Sequence, residues 1–313
     1  MPDFPQSPES VILSPVTSTP LLRCYHSHMA PGTRDYLPHR HTAFEMSLVL
    51  EGSGLYQLES RTYRFGPGDI FLFTSNEIHY ITSVTGKSAL DILNIQFEPR
   101  FVWAGAAEVF DAAYLDIYLH RTEHFSNRIP ADDPRCEVLT AELMGIRGEF
   151  DRQETGFELM VKIHLIKALV LLQRTSRSAF EPQPRLQNLH LGDLELAISY
   201  IDSHLSEPLT LEEIASRAHL SRTYFSTLFR QMNGITPWEY ITAKRIEAVN
   251  LLLASDNRSI AEIAEQSGYT STANFYQSYR NHMRLSPGAY RRQMRKRLSS
   301  DGNSAIKEDD QHE

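Results

Sequence analysis

Cysteine is scarce in this chain: Cys24 and Cys136 are the only two in 313 residues, far apart and without CxxC spacing. That argues against a disulfide framework and against a thiolate metal site. No stretch approaches the ~18 consecutive apolar residues of a membrane span, and the start, MPDFPQSPES, has neither the basic nor the apolar region of a signal peptide. These gaps point to a cytoplasmic chain with no membrane partner. An excess of positive charge is missing as well. The net charge of −8 argues against nucleic acid until it is divided by region. Residues 1–192 carry 17 Lys+Arg against 23 Asp+Glu, residues 193–298 carry 13 against 11, and the tail from Ser299 carries 1 against 5. The acidity belongs to the front and the tail. Basic residues gather late in the middle region, in YRRQMRKR at 290–297, either a solvated helix end or a phosphate-contacting patch. What the chain does have is 41% hydrophobic residues, enough for two domains with separate cores.

Residues 21 to about 100 alternate or run apolar in short stretches, EMSLVLEGSGLYQL, RTYRFGPGDIFLF and LDILNIQF, separated by Gly, Pro and Asn turns. That pattern predicts a small all-β sandwich or barrel. From Pro134 the apolar spacing changes to three and four residues in CEVLTAELMGIRGEF and ELMVKIHLIKALVLLQR, which predicts two helices packed on the β unit. The second is apolar around much of its circumference: either one face packs on the barrel and another remains for a partner, or both faces are used within the subunit. The polar, proline-bearing stretch 174–192 reads as a linker, and 193–298 reads as helices with short breaks. The domains are therefore set at 1–20, a flexible start; 21–173, a β barrel with helices; 174–192, the linker; 193–298, an all-α domain; and 299–313, an acidic disordered tail.

The all-α region repeats itself. Glu213-Ile214-Ala215 matches Glu262-Ile263-Ala264, and after one inserted residue Phe225, Phe229, Pro237 and Tyr240 match Phe275, Tyr279, Pro287 and Tyr290. In the first copy Leu211, Ile214, Ala215 and Ala218 form one stripe, and Phe225, Leu228, Phe229 and Met232 a second. The face opposite the second stripe shows Arg222, Thr223, Ser226, Thr227 and Arg230; in the second copy it shows Thr272, Ala273, Asn274 and Gln277, with Arg280 nearer the backbone. Short hydroxyl and amide side chains flanked by arginines suit a helix in a major groove: donors for phosphate at the ends, base-edge readers in the middle. Single residues of this kind are usually just solvated. Two copies of helix, break and helix with matching inner and outer faces favour a nucleic-acid role for the unit.

In LTLEEIASRAHLSRTYFSTLFRQMNGITPWEYITAKRIEAVNLLL and SIAEIAEQSGYTSTANFYQSYRNHMRLSPGAYRR the chain resembles the AraC/XylS family of transcription regulators over about a hundred residues. The resemblance implies two helix-turn-helix units joined by a helix. It places base reading at Thr223, Ser226 and Thr227 and at Thr272, Ala273, Asn274 and Gln277. One departure stands out: Arg284 occupies the place where the family usually has Gly near the end of the second unit, while Gly234 keeps it in the first. A residue with a Cβ disfavours a left-handed turn there.

In the front domain, LPHRHTAFEMSLVLEGSG sets His39, His41 and Glu45 in an HxHxxxE spacing, and FGPGDIFLFTSNEIHYI supplies Gly68, Asp69 and His79. This resembles the cupin barrel, and it leaves two chemistries open. The same His/Glu set, His39, His41, Glu45 and His79, is the right type for a metal; in the regulator family such histidines commonly line a pocket without one. The pocket reading takes His39, His41, Glu45, His79 and Gln96 as hydrogen-bonding groups, with Tyr36, Phe44, Tyr56, Phe71, Phe73 and Trp103 as walls, a mixture that suits a sugar. The expected protein is an effector-responsive, sequence-specific regulator of carbohydrate genes, not an enzyme, with no cofactor. Its partners are operator DNA, a small sugar-like effector, RNA polymerase and a second copy of itself, the dimer meeting through the helix from Glu158 to Arg174. The rivals are a metal-dependent isomerase or dioxygenase with an autoregulatory DNA-binding domain, and a constitutive DNA-binding protein whose barrel only dimerises.

Overall fold

The computed structural model describes residues 11–13, 21–33, 38–103, 112–176, 178–181 and 190–295. Strands β1 (Val11–Leu13), β2 (Leu22–Met29), β3 (Phe44–Glu51), β4 (Ser53–Leu58), β5 (Arg61–Phe65), β6 (Ile70–Phe73), β7 (His79–Thr85), β8 (Leu90–Phe97) and β9 (Arg128–Ile129) form two antiparallel sheets. Six strands run in the order β1-β2-β8-β3-β6-β9, and three in the order β5-β4-β7. Strand β3 is buried on both faces because each face has its own cover. Phe44, Met46 and Leu48 join Ile95, Phe97 and the helices in one core; Val49, with Phe71, Phe73 and Ile92, joins Tyr56, Leu58 and Phe65 of the small sheet in another. The period-2 alternation of a strand thus sorts its side chains between a helix layer and a barrel interior.

The two long helices expected after the β unit are α3 (Arg135–Arg152) and α4 (Phe157–Thr175). Their apolar rows Leu139, Leu143 and Ile146 and Val161, Leu165, Leu169 and Leu172 are fully buried. The short α1 (Pro99–Trp103), the 3₁₀ turn Ala112–Leu115, α2 (Asp116–Leu119) and β9 precede them; none of these was legible, being too short to show a period. Asp69, the acidic member of the GD turn, is a structural tie. Its carboxylate accepts from the Gly66 N–H at 2.8 Å, the Ala131 N–H at 2.9 Å and the Arg128 guanidinium at 2.9 and 3.0 Å, fastening β9 to β6.

Helix α4 runs to Thr175 and α5 (Leu191–Ser203) begins two residues before Asp193, so both intrude on the expected linker, of which 182–189 lie outside the described residues. Then come α6 (Leu211–Arg217) and α7 (Arg222–Asn233), the long α8 (Pro237–Ser255), and α9 (Ile260–Gln266) and α10 (Thr272–Met283). The starts of both copies are written in hydroxyls. Thr210, Ser221, Ser259 and Ser271 each accept a backbone N–H from three residues on, the standard way of satisfying an exposed helix N-terminus. Both α7 and α10 end on a left-handed residue, Gly234 at φ 75° and Arg284 at φ 58°. The arginine therefore takes up the turn that its Cβ disfavours.

Helix α8 lies across two cores. Tyr240 and Ile241 belong to the cluster that also holds α6, α7 and the helices packed on the barrel, whereas Ile246, Val249 and Leu253 belong to a separate cluster with Ile263, Phe275, Tyr279 and Tyr290. Among the described residues no helix is long and apolar enough to cross a membrane.

Candidate functional site: a polar barrel interior and a paired helix face

Inside the barrel the inward positions of β2, β3 and β8 are polar where packing alone would ask for Val or Ile. Glu45, Ser47, Asn94 and Gln96 are all buried and linked. The Gln96 amide nitrogen donates to Glu45 Oε2 at 2.7 Å and lies 2.8 Å from the Tyr25 hydroxyl; Ser47 Oγ lies 2.5 Å from Glu45 Oε1 and 2.8 Å from Asn94 Oδ1; Asn94 donates to Ser27 at 2.9 Å. His41 Nε2 meets Glu45 Oε2 at 2.8 Å, and its Nδ1 faces the Ala43 carbonyl at 2.9 Å. Burial by itself raises a carboxyl pKa, but the hydrogen bond and charge of His41, with help from His79 and Ser47, win and hold Glu45 well below the usual carboxylate range. The site therefore carries a fixed, ionised acceptor.

His39 is bridged to His79 through the backbone, and the two rings lie 4.3 Å apart. His79 is fully buried, stacked on Phe73 at 4.1 Å, and its pKa is lowered, chiefly by burial. Its Nδ1 lies 2.9 Å from the Glu77 carbonyl, which fixes the proton there and leaves the Nε2 lone pair aimed inward without a partner, 3.9 Å from Glu45 Oε2. Gln96 Oε1 is a second buried acceptor with no donor. One ring nitrogen each of His39, His41 and His79 falls within 4.8 Å of the others, a spacing that can also hold a metal ion. A cavity of about 20 Å³ opens here, lined by Tyr25, Ser27, His39, Glu45, Tyr56 and Asn94 among others. That is room for a water-sized occupant.

The structure brings together all seven expected effector residues, His39, His41, Glu45, Tyr56, Phe73, His79 and Gln96, in or beside one inner cluster. Two of the expected walls are elsewhere. Phe44 points outward on β3 and stacks on Tyr118 at 4.6 Å, and Trp103 lies on α1 in the helix-side core. Tyr36 lies outside the described residues. Tyr25, Ser27, Ser47 and Asn94 were missed; the signal for the last was present in LDILNIQF, where Asn94 and Gln96 fall at alternate positions of an otherwise apolar strand.

The helical repeat places its outer faces as expected. Phe225, Leu228, Phe229 and Met232 are buried on α7, while Arg222, Thr223, Thr227 and Arg230 are exposed and Ser226 is half-buried. On α10, Phe275, Tyr279 and Met283 are buried, and Thr272, Ala273, Asn274, Gln277 and Arg280 are exposed. Ser226 and Thr227 donate to the carbonyls of Arg222 and Thr223 at 2.9 and 3.0 Å, so their hydroxyls are parked on the helix, and Arg222 is held by Glu212 at 2.7 Å. Donating to a base acceptor or to a phosphate would require each to let go. Lys296 and Arg297 of the late basic run lie outside the described residues.

Residues 23–169 match the model of the AraC-like ligand binding domain, and residues 214–293 match that of a helix-turn-helix domain. The regulatory protein PocR of Salmonella typhimurium is 37% identical over 105 residues, covering 34% of this chain and only 35% of PocR. The melibiose operon regulatory protein of Escherichia coli K12 is 23% identical over 81% of this chain and 83% of its own length. The lactose operon transcription activator of Staphylococcus xylosus is 21% identical over 81% and 86%. Among solved structures, ToxT of Vibrio cholerae shares the two-domain fold with a TM-score of 0.51 at 13% identity, covering 86% of this chain and 97% of ToxT.

Proposed function

Because this chain belongs to the AraC/XylS family of transcription regulators, with an AraC-like ligand binding domain ahead of a helix-turn-helix domain, we propose that its barrel binds a small, donor-rich effector, a sugar or sugar-like polyol, and that occupancy changes operator binding by the paired helices. The observation that carries this reading is the set of buried acceptors inside the barrel: His79 Nε2 and Gln96 Oε1 without donors, beside the ionised Glu45. Buried acceptors left without donors cost free energy, and hydroxyls supply what is missing. The melibiose and lactose regulators among the relatives are in keeping with a sugar. The present cavity is smaller than a monosaccharide, so binding requires the walls to separate, a ligand-dependent change of shape. The regulator works in the cytoplasm as a homodimer in contact with RNA polymerase. Its dimer face is the exposed apolar row Leu159, Met160 and Ile163 on α4 with Val138 and Met144 on α3.

A second reading has its own observation. The three histidines clustered within 4.8 Å, with Glu45 beside two of them, suit a divalent transition metal, which would be held by their ring nitrogens. A thermal-shift panel on the full chain separates the two, using mono- and disaccharides, sugar acids and aromatics, each with and without chelator. A raised midpoint with one sugar class that ignores chelator supports the sugar sensor. Shifts that chelator abolishes, with stoichiometric metal in the purified protein, replace it with the metal reading.

A further inference from the structure

We infer that the four residues His39–Thr42 are the element that transmits the state of the barrel to the DNA-binding domain. The inference rests on the effector reading above. Alternate residues of this segment face opposite ways. The rings of His39 and His41 enter the barrel, 4.3 and 5.2 Å from the ring of His79. Arg40 and Thr42, between and after them, reach out of it: Arg40 Nη2 donates to the Asn281 carbonyl at 3.3 Å, and the Thr42 N–H donates to Glu247 Oε1 at 3.1 Å. These are contacts across more than 200 residues of sequence, and they end on two helices of the helix-turn-helix domain. Asn281 is in the last turn of α10, which carries Asn274 and Gln277; Glu247 is in the middle of α8, the helix that joins the two units.

The segment is firmly held, so a push at one side is delivered to the other. Its backbone is stitched to the barrel by the His39–His79 bridge, by the Asn76 N–H on the His41 carbonyl at 2.8 Å and by Ser75 Oγ on the Thr42 carbonyl at 2.6 Å. On the outer side the Thr42 hydroxyl donates to Glu98 at 3.3 Å, and the same Glu98 oxygen receives the Lys244 ammonium of α8. Thr42, Glu98 and Lys244 are all buried. An occupant that drew the His41 ring off Glu45, or wedged His39 from His79, would move the peptide between His41 and Thr42. That peptide carries the N–H that Glu247 holds. No flexible linker intervenes on this route, and it reaches the second unit without passing through the first.

The test is a double-mutant cycle on the full chain, read as affinity for a DNA duplex selected from a random pool by the wild-type protein at fixed salt. Glu45→Gln perturbs the barrel side, and Arg40→Ala with Glu247→Ala cuts the outer contacts. Coupling predicts that Glu45→Gln changes DNA affinity about fivefold or more in the otherwise wild-type chain, and less than about twofold once the outer contacts are cut. An equal change in both backgrounds, or none in the first, overturns the inference. Should Glu45→Gln lower the unfolding midpoint to the assay temperature, His39→Gln, at a half-buried position, takes its place in the same cycle. The thermal-shift panel keeps the two failures apart. A saccharide shift together with uncoupled mutants defeats the transmission segment alone, and coupled mutants without any shift support the segment while removing the sugar.

Discussion

Arg100, in the helix that follows the last long barrel strand, and Asp202, in the first helix of the DNA-binding domain, form an ion pair at 2.6 Å whose two side chains are each only 3% exposed. The Tyr240 hydroxyl donates to the other Asp202 oxygen at 2.9 Å. Burial pushes the Asp202 carboxyl up, and Arg100 opposes it. A pair placed this deep is weak evidence of net stability, because desolvation offsets much of the attraction, but removing one partner strands the other. Arg100→Ala should therefore lower the unfolding free energy of the full chain by ~3–5 kcal/mol, whereas Arg100→Met with Asp202→Leu should cost much less. Denaturant unfolding of the three proteins checks this. Similar losses in the single and double variants would mean that packing, not the stranded charge, sets the cost.

The outer faces of α7 and α10 carry the DNA expectation. Thr227→Ala and Asn274→Ala should each weaken binding to the selected duplex by ~1–3 kcal/mol and relax sequence preference there, with little change on random DNA. Competition binding at constant salt measures both. Equal losses on the two DNAs would move these residues from reading bases to positioning the backbone.

Gly268 sits in the turn of the second unit at φ 85°, where the first unit has His219, also left-handed at φ 55°. A Cβ at Gly268 would lie 2.5 Å from the Leu205 carbonyl oxygen, against backbone that has little room to retreat. Gly268→Ala should lower the thermal midpoint through both the clash and the left-handed strain, the latter alone ~1–2 kcal/mol. His219→Gly should be nearly neutral by the same measurement, since it relieves one term and adds chain entropy.

Acidification should loosen the contact between the domains. Burial, then the neighbouring Arg40 guanidinium, lower His282 to about 3 against the opposing pull of Glu247. An unfolded histidine titrates near 6.5. Between pH 6.5 and 3 the unfolded chain thus holds the extra proton, so stability is full above 6.5 and falls with pH, by at most ~1.4 kcal/mol per unit for this group. Glu247, lowered to about 2 despite burial because Lys244 and His41 lie near it, acts in the same direction below its ordinary value of 4.5. Unfolding at pH 7.5, 6 and 5 should show the decline, and His282→Gln should reduce but not abolish it above pH 5, since burial also lowers His79. A slope that this substitution leaves unchanged would belong to another group.

Leu159 is the most exposed of the large apolar side chains described, at 63%, with Ile163 one turn on at 41%. Leu159→Glu with Ile163→Glu should convert a dimer to a monomer in sedimentation while leaving the unfolding midpoint of the subunit nearly unchanged. A dimer that persists would place the interface elsewhere.

The repeat was legible because each helix carries its own signals: a hydroxyl at the start, an apolar stripe, and a left-handed residue at the end of α7 and α10. Strands β3 and β8 were legible as strands, but their two covers were not. EMSLVL shows alternation without saying which face meets helices, so the pattern alone does not reveal that Phe44 faces out, against Tyr118. Thr42, Glu98, Asp202 and Glu247 carried no signal at all. A residue whose partner lies a hundred or more positions away looks like any polar surface residue until the chain is folded.

The two cores that meet along helix α8 set where this protein comes apart. Tyr240 and Ile241 are packed with the sensor and the first unit, and Ile246, Val249 and Leu253 with the second. The border between cooperative unfolding units therefore crosses an unbroken helix. Amide protons of α7 should stay protected as long as those of the barrel, while α9 and α10, resting on the smaller core, exchange by opening on their own. The second helix-turn-helix unit is thus the part of the chain that DNA has most to stabilise.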